Sequence, residues 1–490
     1  MVKRRRTQNS LLNIFQLPPE ILGYIFWLSS SPEGFEKRSL QFLTVCHYWY
    51  EVALGTSSLW SFWGNTLQEW KKFYLRRPEA PLDLVLDGVK QKKPRLNTSL
   101  EKALIGRASR GTIRRVHLRC ANRKLLGSIL WTLAPKQGEI RKSSVESLIL
   151  RNECKVPADT SKFFTKISFP RLRHLDISDC TISWDGLGLR TKFLTTLVLQ
   201  FGSPSSAPTM GQLLSLLASN PSLHKLSLTG HSLPQHRNED HSPVSLPQLK
   251  ELELAGGCAN ISTLLKKLIC PDIMDHLDLS LGYCTPEEIS KDIGPYLRGH
   301  FRRRGRSLGG LGIYASFNSY GRMLFHVGNE GGHHSPTNLA AEPRAAFLSI
   351  ALGPHDWAMR LFLGLISHCP QEEIVHLQMY NDSLALRGPT AMGKVYALLP
   401  NLKVLHATSI PLAVLFPEPG TDKKDAVTPQ SLRRVLFEED LLHSDWTPLT
   451  TFLSGRQLDS LRVVSPALEH LDVQPEIRSS IKELVLIRTS

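Results

Sequence analysis

Three groups of residues have the types that chemistry needs. Cys258, Cys270 and Cys284, with His276 between them, offer soft ligands of the kind that hold zinc. They lack the close pairing of structural zinc sites, so ordinary buried core cysteines are the expectation. Glu330, His333 and His334 could also ligate, but they share one glycine-rich stretch with no rigid partner pair, and a solvated loop is expected there. Cys46 has the type of a nucleophile, yet its place on an apolar helical stripe predicts a buried and inert thiol. Gly310-x-Gly312-x-x-Ala315 partly mimics a dinucleotide loop without its strand-loop-helix setting. The phosphate-loop, nucleophile-elbow and zinc-helix motifs are absent from the sequence. The reading is therefore a chain with no catalytic residue, metal site or cofactor.

Charge points to binding instead. The net charge is +15, from 59 Lys plus Arg against 44 Asp plus Glu. Residues 1–124 hold 22 basic and 9 acidic residues, so +13 of it lies there. Lys3, Arg4, Arg5 and Arg6 form a tail cluster that has the composition of a nuclear localisation signal. Arg302, Arg303, Arg304 and Arg306 form another, expected to be solvated. Neither is interleaved with aromatics, as a stacking platform for single strands would be, so nucleic acid is not the expected partner. No apolar run approaches the ~18 residues that cross a bilayer; the densest are residues 21–28 and 361–366. Eight scattered cysteines without a C-x-x-C pair suit a reducing compartment, cytoplasmic or nuclear.

The elements that would position a binding surface begin at Leu17. The run LPPEILGYIFWL places two prolines at a helix start, where the first amides lack acceptors anyway. Ile21, Leu22, Ile25, Phe26 and Leu28 then form a helical stripe, and Phe42, Val45, Cys46, Trp49, Val52 and Ala53 a second. Helices this short must pack on each other or on a partner. Leu17-Pro18-Pro19-Glu20-Ile21-Leu22, Ile25-Phe26, Val45-Cys46-His47-Tyr48-Trp49 and Leu59-Trp60 together resemble the F-box in order and approximate spacing. His47 and Tyr50 depart from that pattern, standing where basic residues are common. The resemblance implies a small all-α module over residues 14–63 that binds the Skp adaptor. It carries that role to Leu17, Pro18, Ile21, Leu22, Ile25, Phe26, Val45, Cys46, Trp49 and Trp60. Residues 1–13 are expected to be a basic disordered tail and 64–80 a linker helix, an arrangement similar to F-box proteins of fungal type.

From residue 81 to 490 the sequence repeats itself irregularly. Leu-x-x-Leu-x-Leu recurs from Leu172, Leu194, Leu223, Leu249, Met274 and Leu402, with looser copies from Ile113, Val145, Leu308, Ile374, Leu432, Leu458 and Ile481. The stricter form Pro-x-Leu-x-x-Leu occurs at Pro170, Pro221, Pro247, Pro400 and Pro466, where composition alone predicts about one occurrence. Apolar helical stripes stop just before several of these prolines, as in MGQLLSLLASNP and AMGKVYALLP. Each unit thus reads as helix, proline break and short strand. The period, near 25 to 26 residues where it is regular, resembles leucine-rich repeats, and Cys180 stands at their turn position. The expected fold is an α/β repeat: the helical module, then an irregular leucine-rich-repeat solenoid of parallel strands with convex-side helices. A single doubly wound α/β domain is the competing fold. Residues 325–345 and 416–430, rich in glycine, proline and polar residues, read as inserted loops.

The resemblance implies a substrate-recognition adaptor that joins a cullin ubiquitin ligase through Skp and holds an unknown protein substrate on its repeats. The competing function is a basic nuclear scaffold associated with nucleic acid.

Overall fold

The computed structural model describes residues 17–29, 45–56, 62–63, 81–86, 104–106, 108–120, 122–134, 141–154, 156–184, 191–234, 242–271, 274–282, 284–304, 311–317, 323–329, 346–352, 358–381, 389–416, 430–438, 446–454, 456–465 and 475–488. The chain divides into two compact units, Met1–Leu223 and His224–Ser490.

The first unit starts with helices α1 (Pro19–Ser29) and α2 (His47–Gly55). Six parallel strands of the main sheet are described next: β1 (Phe62–Trp63), β2 (Leu82–Leu86), β3 (Ile113–Cys120), β4 (Ser147–Asn152), β5 (His174–Ser178) and β6 (Thr196–Phe201). Each pairs with the next in chain order. Parallel neighbours require a crossover, and α3 (Arg123–Leu133), α4 (Ser161–Lys166) and α5 (Met210–Ala218) lie after β3, β4 and β6. Since every second residue of a strand shares a face, the recurring leucines line up across the sheet. Leu84, Val116, Leu148, Leu175 and Leu197 form one row of partners, and Leu86, Leu118, Leu150, Ile177 and Leu199 the next. All ten are buried, and Leu133 of α3 and Phe163 of α4 close over Val116 and Leu148 on that face.

The second unit continues the same rule with one interruption. The described strands of its main sheet are β7 (Lys225–Gly230), β8 (Glu251–Gly256), β9 (His276–Leu281), β10 (Leu311–Phe317), β11 (Met323–Asn329), β12 (Ala346–Leu352), β13 (Ile374–Asn381), β14 (Val404–Thr408), β15 (Arg434–Glu438), β16 (Leu458–Ser465) and β17 (Ile481–Arg488). Helix α6 (Cys258–Lys267) follows β8. Helix α7 runs over 286–304, its turn Ile289–Ile293 wound as a π-turn, and α8 (Ala358–Ile366) follows β12. In space β9 pairs with β12, not β10, and the order across the sheet is β9, β12, β11, β10, β13. The pairings of β11 are antiparallel and all the others parallel.

Helix α7, about 28 Å long at 1.5 Å per residue, belongs to the crossover between β9 and β10. The chain overshoots, lays down β10, and returns through β11 and β12 to fill the places it skipped. The apolar row is nonetheless unbroken: Leu228, Leu254, Leu279, Ile350, Phe325, Ala315, Met379, Ala407, Phe437 and Val463 are successive partners.

Four expectations need correction. The segment 14–63 is not wholly helical, because the aromatic pair Phe62–Trp63 makes β1 against Asp83 and Leu84. The array is not uniformly parallel. The loop expected at 325–345 begins inside β11, whose alternating Met323, Phe325 and Val327 are all buried. Gly312 and Ala315 lie within β10 rather than in a loop at a helix start. The tail 1–13, the linker 64–80 and the segment 417–429 lie outside the described residues.

Candidate functional site

Helices α1 and α2 pack together through few residues. Leu22 and Phe26, one turn apart, are buried at 0 and 2 % exposure, and Val52 and Ala53 of α2 are buried too. The Phe26 ring sits 5.1 Å from that of Trp49. Tyr48 Oη donates to Leu17 O at 3.1 Å, and Leu22 N donates to Pro18 O at 3.0 Å, which fixes the chain entering α1. Gly23 lets the helices approach, since a Cβ there would meet the side chain of Thr56. Cys46 does not lie on the stripe as expected. It is half-buried at the N-cap of α2, where its sulfur accepts from Trp49 N at 3.4 Å.

Other described apolar side chains of α1 are about half exposed. Ile21, Tyr24, Ile25 and Leu28 are 48, 57, 40 and 52 % exposed, and Val45, just before α2, is 53 % exposed. Positions i, i+3, i+4 and i+7 make one continuous helical stripe. Helix α1 thus carries two apolar stripes, one buried with α2 and one half exposed. Covering the second with another apolar surface would contribute roughly 1 kcal/mol per half-exposed side chain. Of the residues singled out from sequence, Ile21 and Ile25 lie on this stripe, and Val45 is exposed just before α2. Leu22 and Phe26 form the internal core with half-buried Trp49. Pro18 is exposed, Leu17 is half-buried, and Trp60 lies outside the described residues. Sequence reading missed Tyr24, although its spacing of three from Ile21 and four from Leu28 marks it as part of the stripe.

The polar face of the sheet is the second candidate surface, and its charges are largely matched. Arg119 bonds Glu153 at 2.5 Å, and Arg151 bonds the buried Asp176 at 2.6 Å. Arg114 bonds buried Asp83 at 3.2 Å, a hydrogen bond that raises the arginine above its ordinary range. In the second unit Lys225 pairs with Glu251 at 2.7 Å. His406, Thr408 and Glu438 bring together a base, a hydroxyl and a carboxylate. The Thr408 hydroxyl donates to Glu438 at 3.1 Å, while His406 Nε2 lies 3.4 Å from Glu438 and 3.5 Å from Thr408. A nucleophile relay needs hydroxyl and carboxylate on opposite ring nitrogens. Here one nitrogen faces both, so the trio holds β14 to β15.

The cysteines do not converge on a metal. Cys258 opens α6 and Cys270 lies beyond its far end, about 15 Å along the axis. His276 begins β9 and Cys284 follows its end. Cys258 and Cys284 do meet, each buried, with the Cys258 thiol donating to the Cys284 sulfur. Glu330, His333 and His334 lie outside the described residues, as do Lys3 to Arg6. Arg302 to Arg304 end α7.

No protein family matches the chain, and neither does any curated protein. Among solved structures it is similar to the leucine-rich repeat-containing protein LegL7 from Legionella pneumophila. The identity is 13 %, over 60 % of this chain and 83 % of that one, with a TM-score of 0.25. A superposition that loose carries no argument. The leucine-rich-repeat-like character rests on the register of the chain's own mixed α/β architecture and its large parallel sheet. No helix among the described residues is long and apolar enough to cross a membrane.

Proposed function

We propose that this chain is a non-catalytic substrate adaptor of a cullin ubiquitin ligase. Its F-box-like helices dock on the Skp adaptor, and its repeat sheet holds a protein substrate. The observation that carries the reading is the second stripe of α1, where Ile21, Ile25 and Leu28 stay about half exposed beside a helix pair that has already made its own core. Apolar groups gathered on one face of a short helix are the signature of a helix recognised by a partner. The sequence LPPEIL at its start is the F-box-like feature that names the partner. The sheet's polar face offers a broad surface on rigid strands, suited to raising the local concentration of a bound protein. A nucleic-acid scaffold draws less support, because Arg114, Arg119 and Arg151 on described strands are engaged with carboxylates.

The test is co-expression of the full chain with Skp adaptor and recovery through a tag on this chain. Ile25→Asp places a charge on the open stripe and leaves the Leu22–Phe26 core intact, so it should reduce Skp recovery at least tenfold with circular dichroism unchanged. Trp49→Ala is the weaker probe, since loss of its ring removes packing from Phe26. Full recovery of Skp with a folded Ile25→Asp/Leu28→Asp double variant would rule the reading out.

A further inference from the structure

Among the chain's eight cysteines, Cys258 and Cys284 share a side-chain hydrogen bond, and the repeat itself brings them to neighbouring strand ends. Strands β8 and β9 are parallel partners up to Gly256 and Leu281, and Gly282 N donates to Gly256 O at 2.8 Å just beyond. Cys258 and Cys284 each follow two residues after these glycines, so they leave the sheet on neighbouring strands. Parallel partners run about 4.8 Å apart, and the cysteines lie two and three residues beyond the last such pair, Gly256 and Leu281. Cys258 is 3 % and Cys284 2 % exposed. We infer that Cys258 and Cys284 form a peroxide-oxidisable dithiol, a modification site that reversibly staples the turn from which helix α7 departs.

The local chemistry favours one direction of attack. The hydrogen bond from Cys258 holds the Cys284 thiol below its ordinary value, against burial and the nearby Glu288, while the same bond and burial push Cys258 upward. Cys284 also precedes the capped start of α7. There Thr285 accepts from Glu288 N at 3.2 Å, and Glu288 accepts in return from Thr285 N at 2.7 Å. Cys284 is therefore the attacking sulfur and Cys258 the resolving one. The Cys284 thiolate attacks one oxygen of a hydroperoxide; an S–O bond forms, the O–O bond breaks, and the departing hydroxide or alkoxide takes up a proton. The Cys258 sulfur then attacks the sulfenic sulfur. An S–S bond forms, the S–O bond breaks, and the departing hydroxide leaves with the Cys258 proton as water. Two electrons pass from the sulfurs to the peroxide. Burial means that the reaction waits for local opening of the turn, so it is slow, but its product is set by contact.

Cys120 and Cys180 supply an internal comparison, since both are fully buried, Cys120 at the end of β3 and Cys180 beyond the end of β5, with β4 between those strands. Cys46 and Cys154 supply another, being half-exposed. The experiment treats the purified full chain with hydrogen peroxide, then counts thiols after denaturation and maps peptides without reduction. The expected result is a fall from eight thiols to six, one dominant Cys258–Cys284 linked peptide, and recovery of eight with dithiothreitol. Cys284→Ser should keep all seven of its thiols at the same dose, and the wild-type peptide map stands even if that variant folds poorly. Oxidation of Cys46 or Cys154 ahead of the pair, or a Cys120–Cys180 link in equal yield, would overturn the inference.

Discussion

Asn152 bears more on the first unit than its size suggests. It is buried, and its amide donates to Val156 O at 2.9 Å and Asp179 O at 3.0 Å while its oxygen accepts from Cys154 N at 3.3 Å. Asp179 has a φ of 52°, a left-handed conformation that costs a non-glycine residue about 1–2 kcal/mol. Asn152 and the amide of Ala158 both bond its carbonyl and hold it there. Asn152→Ala strips a donor from two carbonyls at once and should destabilise the unit by about 2 kcal/mol, read as a lower urea midpoint. Asn152→Asp should be worse at pH 7, since a carboxylate brings acceptors to acceptors. Its deficit relative to Asn152→Ala should shrink as pH falls and the acid regains a proton to donate. Equal midpoints for wild type and Asn152→Ala would show that the turn holds itself. The sequence marked Cys180 as a turn residue of this kind, and the register adds Cys120 and Asn152 as direct partners. Cys180 is also pushed up to about 12, first by burial and then by Asp179, as expected of an inert packing thiol.

Elements whose geometry is local were legible from the sequence; those whose place is set by distant partners were not. The helix expected before Pro221 is α5, and that before Pro400 is Pro389–Leu398, because apolar spacing and proline breaks act within a few residues. The strands from Leu172, Leu194 and Leu249 follow for the same reason. The two-stripe nature of α1 was only half read, because an apolar pattern does not say which stripe meets the next helix. The reversed order of β10, β11 and β12 was invisible, since pairing order leaves no mark on periodicity. Nor could sequence foretell the crossing of α7 with the turn after α8. There a Cβ on Gly294 would collide with His368 Nε2, and Arg298 Nη1 meets His368 Nδ1 at 3.0 Å. The π-turn in α7 fits its other neighbour, with Ser262 of α6 donating to Asp292 O at 3.2 Å. Arginine can only donate, so Nδ1 is the acceptor and His368 is neutral with its proton on Nε2. Burial, and then Arg298, lower its pKa from the ordinary 6.5. The unfolded chain thus binds this proton more tightly than the folded one. The stabilisation is complete above pH 6.5 and is lost as pH falls below it towards the lowered value. His368→Gln, which keeps an acceptor for Arg298, should lose less stability than wild type between pH 7.5 and 5.5, compared by urea midpoints. Equal losses would assign the pH dependence to other histidines.

At the scale of the whole second unit, stability travels from strand to strand, because each strand touches only its neighbours in the sheet. The antiparallel insertion makes that rule testable. Strand β12 is the partner of β9 and β10 is the partner of β13, so β10, β11 and β12 join the block β7–β9 to the block β13–β17. Phe325 lies at the centre of the middle strand, fully buried, in register with Ala315 on one side and Ile350 on the other. Its ring also meets Phe362 of α8 edge-on at 6.0 Å, tying the insertion to the helix that crosses it. Phe325→Ala should cost about 3–5 kcal/mol through lost transfer energy and the cavity left behind. In a globular core that cost would spread without direction. Here it should open β11 first, which frees one edge each on β12 and β10, and then propagate both ways. Hydrogen exchange resolved by peptide should therefore accelerate most in 323–329, next in its partners 311–317 and 346–352, then in 276–281 and 374–381, and least in 458–465, four strands beyond the insertion's edge. Acceleration confined to 323–329 would mean that the insertion is a separate hairpin resting against two independent blocks. Uniform acceleration of the unit would mean that its strands melt together and the nearest-neighbour picture does not hold.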